Sequence, residues 1–144
     1  MQPSEGEILD IKDLSLLAGP EREKALKNHF AAICRAIESG VFAFIAHVDY
    51  IRKSEFCPDE AFWQEKMKVV DCLEKCKTAT ELSSKGLRKR GDFYPADKLI
   101  REIVRRQIPL VVSDDAHRTG ELGFEFAKAE EYLRELDCRR RWQF

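Results

Sequence analysis

Neither sign of charge is in surplus in this chain: 25 lysines and arginines stand against 26 aspartates and glutamates. That balance removes the global attraction on which a nucleic-acid-binding protein or a protein of anionic membranes relies. Long hydrophobic runs are also missing, since none approaches the roughly 20 residues needed to cross a bilayer. The opening Met1-Gln2-Pro3-Ser4-Glu5-Gly6-Glu7 is acidic and polar, unlike a secretory signal. A soluble cytoplasmic protein is therefore expected, with neither nucleic acid nor membrane among its partners. No CxxC pair occurs among Cys34, Cys57, Cys72, Cys76 and Cys138. Cys72 and Cys76 would share a helix face, but no second pair exists to complete a metal site. The thiols read as buried or incidental groups in a reducing compartment. Internal repeats and low-complexity tracts are absent as well.

What is present is enough chain for one domain with a real core, 144 residues. It divides into a polar amino-terminal segment (1–19), a core (20–136) and a basic tail (137–144). Pro20-Glu21-Arg22-Glu23 opens a helix, since proline suits its first turn and acidic residues its positive end. Ala25, Phe30, Ile33, Cys34 and Ile37 form its apolar stripe, and Ser39-Gly40 stops it. Val41 to Ala46 reads as a strand buried on both faces. Phe56-Cys57-Pro58-Asp59 starts a second helix, and Lys77 to Ser83 is a weaker strand. Pro95 begins a helix through Arg106. Ile108 to Ser113 is the third strand, and Thr119 to Leu136 the closing helix. The order α-β-α-β-α-β-α, with short connections, predicts an α/β fold with a parallel sheet.

In such a sheet, ligands and catalytic groups gather at the carboxyl ends of the strands. This chain puts its most reactive side chains there. His47 and Asp49 end the first strand, Glu81 lies in the second, and Asp114-Asp115-Ala116-His117 ends the third. Carboxylate and imidazole both suit zinc, manganese or iron, so Asp115 and His117, two apart, form a candidate ligand pair. A short acidic stretch before a helix also serves as an N-cap, and a lone histidine such as His47 also serves to bond a loop carbonyl. His29 falls mid-helix, where solvent or core packing accounts for it. Ser83 to Arg90 (SSKGLRKR) is either a phosphate-binding loop, with arginine gripping phosphate oxygens, or a solvated basic loop. Arg139-Arg140-Arg141-Trp142 reads as a solvated tail with one packed aromatic.

Three segments, AHVDYIRK (46–53), TELSSKGLRKR (80–90) and PLVVSDDAHRTGELG (109–123), resemble in order and spacing the later motifs of the PHP superfamily. Within it the likeness is to histidinol-phosphatase of the PHP type, and it covers roughly residues 20 to 136. The corresponding family runs read approximately H-[LP]-D-L-I-[KR]-K, E-I-N-T-S-G-L-R-K and G-S-D-A-H. The resemblance implies part of a distorted (βα)7 TIM-like barrel, divalent metal ions (zinc, manganese or iron), and hydrolysis of a small phosphate ester in histidine biosynthesis. By it, His47, Asp115 and His117 match metal ligands, with Asp115 also orienting the nucleophilic water, and Arg88 matches a position near the substrate phosphate. Asp49, Glu81, Lys89 and Asp114 match site-lining positions. Asp114 stands where the family has serine, and Ser83 where it has asparagine.

The resemblance also marks what is missing. Family members run to about twice this length, and their first half carries an H-x-H pair, further histidines and a glutamate. Three histidines in all cannot build the full metal cluster, and three strands cannot close a barrel. The expectation is thus the carboxyl-terminal half of a longer protein, a truncated product, or a chain that completes itself with a partner, such as a second copy. Two further readings stand beside the phosphatase: a non-catalytic remnant or interaction domain, and a nuclease-like PHP module. The balanced charge and the GLRK loop weigh against the last.

Overall fold

A computed structural model describes residues 11–142; most of the polar amino-terminal segment and the end of the basic tail, Gln143 and Phe144, lie outside the described residues. The first helix, α1 (Gly19–Glu38), has Pro20 in its opening turn and buries Leu26, Phe30 and Ile37. Ile33 and Cys34 pack half-buried against the same core. Gly40, at φ +69°, releases the chain from the helix in a left-handed conformation that glycine adopts without cost.

The strand that follows, β1, is only Phe44–Ile45. Val41 and Phe42, expected inside a doubly buried strand, are 73% and 54% exposed. The reason is position: β1 is the outer strand of the sheet and bonds on one side alone, to β2 (Ala79–Ser83). Hydrophobicity marked the segment correctly as sheet-forming, but burial on both faces needs neighbours that an edge strand does not have.

The second helix, α2 (Trp63–Cys76), starts later than its proline and acidic residues suggested. Pro58 to Ala61 closes a separate turn, with the Ala61 amide donating to the Pro58 carbonyl at 2.9 Å. Phe62 then takes φ +55°, which no continuous right-handed helix can include. Lys66, buried on α2, secures that turn by donating to the Asp59 carbonyl at 2.9 Å.

β2 is buried at every position and lies centrally. β3 (Leu110–Ser113) pairs with it in parallel, Glu81 opposite Val111 and Ser83 opposite Ser113. Phe44 and Ile45 pair with Ala79 and Thr80 on its other side, also in parallel. The connection between β2 and β3 carries α3 (Asp97–Arg105), whose Leu99, Ile100 and Ile103 are buried. The closing helix, α4 (Phe126–Glu135), is shorter than expected. Residues Thr119–Glu121 form a separate single turn, and left-handed Gly123 and Glu125 divide the two. The basic tail is not merely solvated. Leu110 of β3 accepts from the Trp142 amide at 3.0 Å and donates to the Arg140 carbonyl at 3.2 Å, while Arg141 grips Glu130 through two 2.7 Å bonds.

The result is an α/β fold on an open, parallel, three-stranded sheet in the order β1-β2-β3. Its core joins Phe30 and Ile37 of α1, Leu73 of α2, Ile100 and Ile103 of α3, and Leu82 and Leu110 of the strands. No helix among the described residues is long and apolar enough to cross a membrane. All five cysteines are free thiols, Cys57 wholly buried.

Candidate site at the carboxyl edge of the sheet

Parallel strands bring their carboxyl ends to one edge, and the centre of that edge is Glu81. One oxygen of its buried carboxylate accepts from the His47 backbone amide at 2.8 Å and lies 3.1 Å from His47 Nδ1. Its other oxygen accepts a short hydrogen bond from the Ser113 hydroxyl. A single carboxylate of the middle strand thus clamps the ends of both outer strands. Thr80 repeats the device one residue earlier, its hydroxyl donating to the Ile45 carbonyl at 2.7 Å.

His47 and Asp115 occupy equivalent places just beyond β1 and β3, and both are left-handed, at φ +61° and +50°. Histidine and aspartate tolerate that region better than bulky residues do, and the turn it produces lifts each side chain off its strand. Asp115 meets the ammonium of Lys85 in a short ion pair. Lys85 also sits 5.0 Å over the centroid of the Tyr50 ring, which is itself 4.9 Å from the His47 ring. Two carboxylates, an imidazole and an ammonium therefore alternate along the edge.

Their protonation follows from these contacts. The hydrogen bond to Glu81 raises the His47 pKa above the ordinary imidazole value, against the opposing effect of burial. Burial pushes Glu81 upward, but hydrogen bonds from His47 and Ser113 prevail and hold it below the usual carboxylate range. For Asp115, burial is likewise outweighed, by the bond and charge of Lys85. For Lys85, burial is outweighed by Asp115 and Tyr50, which keep the amine protonated.

Most of the remaining candidates bond the backbone around them. Arg88 donates to the carbonyls of Asp114 and Glu121, both at 3.3 Å, and pairs with the Glu121 carboxylate. It ties the turn Ser84–Arg88 to the loop after β3. Asp114 faces backbone, accepting from the amides of Ala116 at 3.0 Å and Gly123 at 2.6 Å. His117 is exposed, its Nδ1 2.8 Å from the Asp115 carbonyl and its amide bonded to Glu121. Lys89 is exposed. Asp49 is fully buried and accepts from the Ala96 amide, at the start of α3, at 2.8 Å. Burial pushes its carboxyl up to about 6, against the Ala96 amide and the charge of Arg52. His29 lies on α1 with its ring edge-on to Phe30, and burial lowers its pKa.

The residue types suit a divalent ion, yet the arrangement by itself does not fit one. Among the described residues no group of three or more histidine, cysteine, aspartate or glutamate side chains is placed to hold a metal. Asp115 faces Lys85, Glu81 is filled by His47 and Ser113, and His117 turns to the backbone of its own loop. Lys85, Tyr50 and Ser113 are the site groups that local reasoning passed over. Lys85 was visible as one cation of a basic loop, but nothing in its spacing distinguished it from its neighbours.

Gly86 sets the approach of this loop. Its carbonyl accepts the amides of Lys89, Arg90 and Gly91, and a methyl in its place would collide with the Asp92 carbonyl oxygen and come 3.1 Å from the Tyr94 ring. Gly86→Ala should therefore destabilise the chain by about 1–3 kcal/mol through overpacking against backbone. Urea unfolding measures this; an unchanged midpoint would show that the loop shifts freely.

No protein-family model matches the chain. It is similar, at 32% identity over 115 residues, to a protein of Deinococcus radiodurans described as a probable histidinol-phosphatase. The matched region takes in 78% of this chain but 43% of that protein, so the match spans less than half of that relative's length.

Proposed function

We propose that this chain supplies the carboxyl-terminal strand edge of a phosphomonoesterase of the histidinol-phosphatase type, as part of a larger TIM-like barrel, acting on a small phosphate ester. The observation that carries the reading is the shared edge. His47, Glu81 and Asp115 follow or end three parallel strands at the side where such folds place their chemistry, within a chain 32% identical to a probable histidinol-phosphatase. His47, Asp115 and His117 are this chain's share of a metal-ligand set for zinc, manganese or iron, to which residues beyond this chain must contribute the rest. Its own residues have defined work. Arg88 positions the loop that carries Asp115 and His117. Lys89 brings positive charge to the loop beside which a phosphate would rest. Glu81 holds His47 through its Nδ1, the way a carboxylate orients a metal-binding imidazole.

A direct test measures phosphate released from histidinol phosphate by this chain, by the uncovered part of the Deinococcus radiodurans relative, and by the two together, each with added zinc, manganese or iron. Little or no turnover is expected from either alone. The mixture should turn over at least about a hundredfold faster than this chain, with that gain lost in His47→Gln, which removes a metal ligand. No release from the mixture under any of the three metals would overturn the reading.

One observation favours a second reading, a non-catalytic interaction domain: Asp115 is already neutralised by Lys85. On either reading the open edge at β1, with Val41 and Phe42 exposed, calls for cover, from the remaining barrel strands or a second copy of this chain. Sedimentation of the chain alone distinguishes a self-associating edge from a monomeric one.

A further inference from the structure

We infer that the ammonium of Lys85 is a resident counter-ion that occupies a cation position beside Asp115, so that a divalent ion at this carboxylate must compete with it. The inference rests on the phosphatase-type reading of the edge but concerns a residue which that reading does not use. Lys85 leaves the turn Ser84–Arg88 directly after β2, and Asp115 follows β3; parallel pairing of Ser83 with Ser113 places the two side chains opposite each other. The ion pair is short and only about a quarter exposed on each side, 26% and 23%, so water screens it weakly. Tyr50 fixes the ammonium from the other side, its ring 5.0 Å away. A lysine in this setting is held in place by two neighbours.

An ammonium and a divalent ion cannot share one carboxylate oxygen at contact distance, because like charges repel where screening is weak. The pair also explains why Asp115 is no ready ligand: one of its carboxylate oxygens is held by the amine. A lysine here is thus equivalent to a cation built into the chain.

Binding of manganese ion to the purified chain, followed by water-proton relaxation, tests this; manganese is chosen because oxygen ligands suit it and the five thiols do not compete for it. Three proteins are compared: wild type, Lys85→Met, which keeps the apolar stem over Tyr50, and Lys85→Arg, which keeps the charge. Lys85→Met should bind manganese at least about tenfold more tightly than wild type, equivalent to about 1.4 kcal/mol. Lys85→Arg should stay at the wild-type level. Lys85→Ser, matched in unfolding midpoint, guards against a packing effect of methionine and should share the gain. Equal affinity in all the proteins, including no binding by any, overturns the inference, as does an equal gain in Lys85→Arg. Ion affinity is read without turnover, so a failure here leaves the phosphatase assay standing, and the reverse.

Discussion

Arg52→Met should cost this domain about 3–5 kcal/mol of stability, the usual penalty for removing one partner of a buried charge cluster. The Arg52 side chain is wholly buried, a placement that an unpaired guanidinium could not sustain. It lies 3.3 Å from Asp49, 3.2 Å from Asp59 and 2.9 Å from Asp92, bonds the Phe93 carbonyl, and stacks 4.3 Å over Tyr94. Methionine preserves much of the volume and the stacking but leaves three carboxylates facing one another. Arg90, 3.8 Å from Asp59 and 3.6 Å from Asp92, can neutralise only the outer two. Since a domain of this size is stable by about 5–15 kcal/mol, a loss of that order brings it near the unfolding threshold. Urea titration of Arg52→Met beside Arg139→Met provides the comparison. The Arg139 pair with Asp137 is largely exposed on both sides, and its loss should leave the unfolding midpoint at the wild-type value. A cost below about 1 kcal/mol for Arg52→Met would mean that the carboxylates protonate or rehydrate without penalty.

The second large effect belongs to Glu81. Glu81→Gln should lose about 3 kcal/mol, because two charge-assisted hydrogen bonds at a buried site weaken together. The loss should also depend on pH in a way that identifies its partners. Glu81 has a folded pKa below its ordinary 4.5, so its contribution is full above that value and disappears as pH falls through the folded pKa. His47 has a folded pKa above its ordinary 6.5, so its contribution is full below that value and disappears as pH rises through the folded pKa. The stability difference between wild type and Glu81→Gln should therefore be greatest between pH 4.5 and 6.5 and shrink on both sides. In the same variant the His47 imidazole resonance should titrate at lower pH than in wild type, while His29, buried against Phe30, should not move. A difference independent of pH would show that Glu81 acts by packing alone.

Much of the architecture follows from local pattern. The apolar stripe of α1, the proline before α3 and the uninterrupted hydrophobic run into β3 each express a periodicity that residues within one turn or strand impose on one another. From the alternation of helix and strand the parallel sheet follows, and from the parallel sheet the common edge of His47, Glu81 and Asp115. Those steps need only neighbours in sequence, and they locate the candidate site. What each residue does there required the tertiary structure. Glu81 meets His47 across 34 positions and Ser113 across 32; Lys85 meets Asp115 across 30, and Arg52 meets Asp92 across 40. No periodicity links positions so far apart, so spacing alone could not show that Asp49 lies in a buried charge cluster, that Arg88 holds a loop, or that Lys85 faces Asp115. The length of β1 has the same origin, since Val41 and Phe42 carry the composition of a buried strand and yet stay largely exposed among the described residues. Local chemistry determined which elements form and in what order; the pairing of charges across the sheet edge was decided by the fold, because an ion pair depends on distance in space and that distance is set by the packing of the whole chain.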